Sequence, residues 1–316
     1  MGLPRSGTKL LRGLLNEHGE VGILSGETEF LPHWINNWEE FGDLSNEYYF
    51  HRFYRYMKKF THFLWMDKIS VKISPKVWHE RCKSFDVTGV FEALIRYELE
   101  LLDGKYDVSI WGDKSPSYIR YLSLLKKSFQ SAKFIHVVRD VRDYCLSINK
   151  VWGKNMFRAA QRWKNSIDKA RKEAKLFPDD YCEMRYEDLL DHPEKTLRDI
   201  CNFLSISFDE SMVELSEPTE KVGDTRDKRF IFKNNKKKYL KKMEKDTRRK
   251  IETFSKPVLL SCGYPVDYDG PTQKLSTLQM NYYKILDGIN LIKADRKEWG
   301  ILHAILFHLR AASNRK

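Results

Sequence analysis

Gly2-Leu3-Pro4-Arg5-Ser6-Gly7-Thr8-Lys9 gathers two glycines, two hydroxyls and two cations in eight positions, then runs into the apolar Leu10, Leu11, Leu14 and Leu15. These residue types suit one task. Gly7 permits a backbone conformation that other residues rarely adopt. Ser6, Thr8 and the unpaired N–H groups of the first helical turn then converge on one spot, and the positive end of the helix dipole adds to the pull on an anion. A second segment carries matching chemistry. Phe134-Ile135-His136-Val137-Val138 is a β-branched apolar run without alternation, the pattern of a strand buried in a parallel sheet. Arg139 leaves that strand at its C-terminal end, where open α/β sheets bind ligands. Ser147 follows eight residues later, in the early turns of a helix that Asp140 or Asp143 would cap. A guanidinium fork beside a hydroxyl suits a terminal phosphate monoester.

The lettering of the first loop narrows the choice of anion. A nucleoside-triphosphate loop reads GxxxxGK[ST], its Lys reaching the outer phosphates and its hydroxyl holding magnesium. Gly2 and Gly7 keep that spacing, but Thr8 precedes Lys9 and Arg5 stands before the second glycine. That variant resembles the 5′-phosphosulfate loop of the sulfotransferases that use 3′-phosphoadenosine 5′-phosphosulfate (PAPS). Arg139 with Ser147 closely resembles the 3′-phosphate motif of the same family, with Val141 where that motif usually has Pro. Trp111-Gly112-Asp113-Lys114-Ser115-Pro116 is similar to the short Lys-containing motif between the two phosphate sites. Tyr181 to Leu190, YCEMRYEDLL, resembles the strand and turn that follow the 3′-phosphate helix, where Arg185 and Glu187 brace the fold. The likeness covers Gly2 to Asp267 and lies nearest the carbohydrate and protein-tyrosine branch.

The resemblance implies an α/β fold of three layers, a parallel sheet with helices on both faces, P-loop-like in topology. It implies a buried strand just before the loop, where only Met1 stands, so the first strand is expected to be truncated, and a membrane anchor ahead of it remains compatible. It implies PAPS as co-substrate, no metal, and transfer of the sulfuryl group to an acceptor hydroxyl, expected to be a carbohydrate. Arg5, Ser6, Gly7, Thr8, Lys9 and Leu10 would hold the 5′ side of the nucleotide, Arg139 and Ser147 its 3′-phosphate. Lys233 lies about where the family folds a loop over the nucleotide.

Sulfuryl transfer, like phosphoryl transfer, is mostly positioning and electrostatics: a hydroxyl attacks in line and charge builds on the leaving oxygen. Arg5 and Lys114 are the groups expected to stabilise that charge, and a general base should face them across the sulfur. Glu27, in Gly26-Glu27-Thr28-Glu29-Phe30, is the expected base. Glu29 is its rival and is expected to point away from it. His18, His33 and His79 sit in no comparable motif.

The rest of the chain has to position these groups. Apolar periodicity predicts helices at Thr8 to Glu17, Val87 to Leu102, Tyr118 to Phe129, Phe157 to Lys175, Pro193 to Phe203 and Tyr239 to Cys262, the last closed by Gly263. Strands are expected at Val21 to Leu24, Val108 to Trp111, Phe134 to Val138 and near Tyr181. This alternation argues a parallel sheet covered by helices. The aromatic-rich stretch from Trp34 to Trp78 is expected mainly to pack, with some rings lining an acceptor cleft. No linker divides the 316 residues, so residues 1–267 form one domain and 268–316 a helical extension. The extension would pack back on the domain, against a second subunit, or on a membrane surface.

Lys and Arg exceed Asp and Glu by 12, which suits a polyanionic nucleotide. Nucleic acid is not the expected partner, because the basic residues cluster at Lys221 to Lys250 without a recognisable binding motif. Five scattered cysteines read as free thiols and point to a reducing, cytoplasmic compartment. Two alternatives stand beside the sulfotransferase reading: a P-loop-type nucleotide kinase, and a non-catalytic basic protein that binds nucleotides or polyanions.

Overall fold

The computed structural model describes residues 1–299, with side chains through Lys293. Val21–Ile23 (β1) pairs in parallel with Ile110–Gly112 (β2), and Phe134–Val138 (β3) pairs in parallel with Tyr181–Arg185 (β4). The α/β class with parallel strands is therefore the one observed, arranged as two strand pairs. Met1 runs beside β3 on the edge away from β4: its nitrogen donates to Ile135 O (2.5 Å), and Val137 N–H donates to Met1 O (2.9 Å). Between β2 and β3 lies a cavity of about 490 Å³, lined by Leu11, Val21, Ile110, Trp111, Phe134 and Val137 among others.

The helices fall close to the positions that periodicity predicts. They are α1 (Thr8–Asn16), α2 (Leu31–Asn37), α3 (Glu47–Met57), α4 (Thr61–Lys68), α5 (Pro75–Arg81), α6 (Val87–Asp103) and α7 (Leu122–Ser128). After β3 come α8 (Val141–Trp152) and α9 (Met156–Ala174), and after β4 α10 (Tyr186–Asp191), α11 (Pro193–Leu204), α12 (Tyr239–Lys242), α13 (Lys245–Ser261) and α14 (Thr277–Trp299). One expected helix is broken. Met243 and Glu244 are extended, so the stretch from Tyr239 to Cys262 forms α12 and α13 separately. Tyr118 falls in a 3₁₀ turn, Pro116–Arg120, which delays the start of α7.

Helices α2 to α6 enclose the aromatic cluster. Phe30 stacks on Trp34 at 4.7 Å between centroids, and Trp34 in turn faces Trp78 at 6.1 Å. Both tryptophans are fully buried. Each such ring contributes roughly 2–3 kcal/mol by leaving water, which is enough to fix the wall behind the Gly26–Phe30 segment. The five cysteines are free thiols.

The start of the C-terminal extension docks on the domain through α14. Buried Asp287 accepts from Asn155 N–H (2.7 Å) and from Arg158 Nη1 (2.5 Å), and Asn290 donates to Gly153 O (2.8 Å). Leu278, Tyr282, Ile285 and Ile289 remain exposed on the same helix. The expected apolar positions Ile301, Leu302, Ile305, Leu306 and Leu309 lie outside the described residues. Among the described residues no helix is long and apolar enough to cross a membrane.

Candidate functional site

The Gly2–Lys9 turn enters α1 through Gly7, which sits in the left-handed region at φ 95°. A Cβ there would stand 2.2 Å from the Tyr186 ring, so the turn requires glycine twice over. Arg5 is also left-handed, at φ 70°. Its carbonyl accepts from Arg139 Nη1 (2.9 Å). Loop and strand end are thus tied by the two residues expected to bind phosphate. Arg139 is buried, donates through Nη2 to Asn235 O (2.9 Å), and lies over Tyr186 with its guanidinium 4.7 Å from the ring centroid. Among the described residues its Nε has no hydrogen-bond partner. Trp163 Nε1 holds the Arg139 carbonyl at 3.0 Å. Asp140 supplies the cap of α8, its Oδ1 accepting from Arg142 N–H at 2.9 Å. That fixes the turn carrying Ser147, whose Oγ accepts from Arg5 Nε at 3.4 Å.

Arg5, Gly7, Leu10, Arg139 and Ser147 line one cavity of about 270 Å³. Its far wall is the 217–235 segment, and this wall is acidic where it meets the cations. Glu220 Oε2 accepts from Arg5 Nη1 at 2.6 Å, and Val222 O accepts from Arg5 Nη2 at 3.0 Å. Asp224 pairs with Lys150 (2.5 Å) and Lys238 (2.6 Å), which hold its carboxyl well below the usual range. Two carboxylates therefore occupy cationic forks that suit phosphate oxygens. Lys233, expected to lie over the nucleotide, is exposed and lies outside the cavity lining. The chain turns at Asn235, whose N–H donates to Phe232 O (2.9 Å), so Phe232 and Asn235 line the cavity and Lys233 does not. Lys228 from this segment, and Lys238 and Lys242 just after it, add cations to the lining.

The second cluster forms where the segment after β1 meets the end of β2. Glu27 is ion-paired with Lys114, whose ammonium is buried while the Glu27 side chain keeps about a third of its surface open (36%). Burial lowers the Lys114 pKa, and Glu27 opposes that shift. The motif around Lys114 also holds the backbone that carries Glu27. Thr28 Oγ1 bonds Tyr118 Oη (2.6 Å), Tyr118 Oη accepts from Leu31 N–H (3.1 Å), and Ser115 Oγ accepts from Glu29 N–H (3.1 Å). Residues i and i+2 of a strand share a face, so alternation alone would not part Glu27 from Glu29. The left-handed turn at Glu29, φ 55°, is what changes the direction of the chain there.

Burial pushes the Asp113 carboxyl up to about 6, against the pull of Ser115 and Lys114, and its Oδ2 has no partner. Arg12 donates to Ser25 O (2.9 Å), and with Lys9 its charge bears on Lys114.

Glu27 and Lys114 thus come together, as do Arg5, Arg139 and Ser147. Arg5 and Lys114 do not share a hydrogen-bond partner. Ser6 and Thr8 are buried in the turn. Sequence reasoning missed Arg12, Glu220, Asp224, Lys228 and Lys238. Arg12 was legible, four residues after Thr8 and on its helix face.

A family model described as the sulfotransferase family matches residues 1–210. The chain belongs to the sulfotransferase family. It is 27% identical over 223 residues to protein-tyrosine sulfotransferase A of Caenorhabditis elegans, covering 67% of this chain and 50% of that protein. To the Drosophila melanogaster protein-tyrosine sulfotransferase it is 26% identical over 226 residues, 68% of this chain and 39% of that one. An uncharacterized protein of Aquifex aeolicus is 23% identical over 275 residues, 82% of this chain and 31% of its own length. The chain therefore spans half or less of these three relatives. Among solved structures, the sulfotransferase domain from the curacin biosynthetic pathway aligns with a TM-score of 0.49 at 19% identity, covering 84% of this chain and 96% of that one.

Proposed function

We propose that this sulfotransferase moves the sulfuryl group of PAPS to an acceptor hydroxyl, with Glu27 as general base. The observation that carries the reading is the convergence of Arg5, Arg139 and Ser147 on one cavity at the end of β3, beside the N-terminus of α1. Arg139 and Ser147 would read the 3′-phosphate, and the N–H groups of the turn with Ser6 and Thr8 would hold the 5′ side. As the acceptor oxygen bonds to sulfur, its proton passes to Glu27. The bond from sulfur to the 5′-phosphate oxygen breaks, and Lys114 and Arg5 receive the charge left on that oxygen. One well-placed donor of this kind supplies on the order of 3 kcal/mol. The Glu27–Lys114 pair must open for this chemistry, and an incoming anion competes for Lys114 and so frees the carboxylate.

A carbohydrate hydroxyl is one acceptor class. A tyrosine phenol is the class favoured by relatives named protein-tyrosine sulfotransferases. Incubation with ³⁵S-labelled PAPS, an acidic tyrosine peptide and a panel of glycans tests the reading. Label on the peptide or on a glycan assigns the acceptor. Transfer to neither, with no release of sulfate to water, overturns PAPS as donor.

A further inference from the structure

Behind Glu27 lies an ion pair that the proposed chemistry does not use. His62, on α4, and Glu98, on α6, are both fully buried. His62 Nε2 lies 2.9 Å from each carboxylate oxygen of Glu98, a centred contact that consumes both oxygens. The other ring nitrogen faces the segment that carries Glu27. A Cβ on Gly26 would stand 2.9 Å from His62 Cε1, 3.1 Å from His62 Nδ1 and 2.9 Å from Trp65 Cζ3, so the Gly26–Glu27 backbone rests directly on this ring. Among the described residues, buried His62 Nδ1 has no hydrogen-bond partner. Burial disfavours a charged imidazole, but Glu98 outweighs it, with Asp113 and the Glu27 carbonyl pulling the same way, so the ring is held protonated above its ordinary range.

We propose that His62 and Glu98 form a buried platform that positions Glu27, the His62 ring seating the Gly26–Glu27 backbone while Glu98 locks the ring. The pair touches neither donor nor acceptor; it sets where the Glu27 carboxylate stands once Lys114 releases it. The inference rests on the reading of Glu27 as base. A reason for glycine at position 26 follows: any side chain there would push the base off its seat.

The test uses the full chain and follows transfer from PAPS to water as release of sulfate, which requires no knowledge of the acceptor. His62→Asn/Glu98→Gln keeps an amide N–H near the place of Nδ1. His62→Gln/Glu98→Gln keeps one only near Nε2. Both remove the buried charges together, so neither leaves an unpaired ion. The first variant is expected to lose about threefold in kcat and the second about thirtyfold. Both should keep the wild-type affinity for 3′-phosphoadenosine 5′-phosphate by calorimetry. Equal kcat in the two variants would overturn the proposal. Should either fail to melt cooperatively, Gly26→Ala disturbs the same contact with the ion pair intact, and a wild-type kcat in that variant would overturn the proposal as well. The cycle with Glu27→Gln separates the two readings. If Glu27→Gln lowers kcat by roughly 10²–10⁴-fold and His62→Gln/Glu98→Gln adds no further loss on that background, the platform acts through Glu27. If Glu27→Gln alone is fully active, the assignment of the base fails, whatever the platform does. If the losses multiply, the base assignment stands and the platform inference falls.

Discussion

Glu27 and Lys114 hold each other in the structure, one partly open to solvent and the other buried. If Glu27 is the base and Lys114 serves the leaving group, the base is inert until an anion displaces it from Lys114, which would tie proton transfer to occupancy of the donor site. If Glu27 is the base, Glu27→Gln should lower transfer by roughly 10²–10⁴-fold at saturating PAPS with unchanged nucleotide affinity. Glu29→Gln should do far less, because the chain reverses its hand at Glu29. The reverse outcome would move the base to Glu29. Glu220 makes the corresponding claim on the donor side. Its carboxylate occupies the Arg5 fork at 2.6 Å, so Glu220→Gln should tighten binding of 3′-phosphoadenosine 5′-phosphate several-fold, read by calorimetry. Weaker binding would mean that Glu220 orders Arg5 for the ligand rather than competing with it.

Asp113 adds a pH dependence whose sign can be worked out. Its folded pKa of about 6 lies above the ordinary 3.8, so its contribution is fully present below about pH 4 and is lost as pH rises towards 6. Asp113→Asn should therefore raise the melting temperature by a few degrees at pH 7 and leave it unchanged at pH 4. A shift of equal size at both pH values would contradict burial as the cause of the raised Asp113 pKa.

At the scale of elements, the strands and the turn that carry the site were legible because local patterns specify them. An unalternating apolar run ending in Arg139 became β3 over the expected residues, and Gly7 capped α1. The 217–235 segment was not legible in the same way. Its structure depends on contacts such as Arg5 with Glu220, 215 residues apart in sequence, and no short-range periodicity encodes them. The same reason applies around Lys233, where a turn closed by Asn235 decides which residues face the cavity. The seating of α14 belongs here too. Asp287→Ala strands Arg158 with its largest counter-charge removed, so it should cost a few kcal/mol in a denaturant melt while nucleotide affinity holds. A drop in affinity would show that α14 supports the site through α8.

The whole molecule carries an excess of 12 positive charges. Some of it gathers around one cavity as Arg5, Arg139, Lys150, Lys228, Lys238 and Lys242. That placement is the central claim, because it predicts which nucleotide the chain prefers. Calorimetric titration of 3′-phosphoadenosine 5′-phosphate against ADP, which lacks only the 3′-phosphate, is its most direct test. A charge-assisted contact is worth roughly 1.5–3 kcal/mol, so the 3′-phosphorylated nucleotide should bind about ten- to a hundredfold more tightly, and Arg139→Ala should erase most of that preference. Equal affinity of the wild-type chain for the two nucleotides would contradict the account.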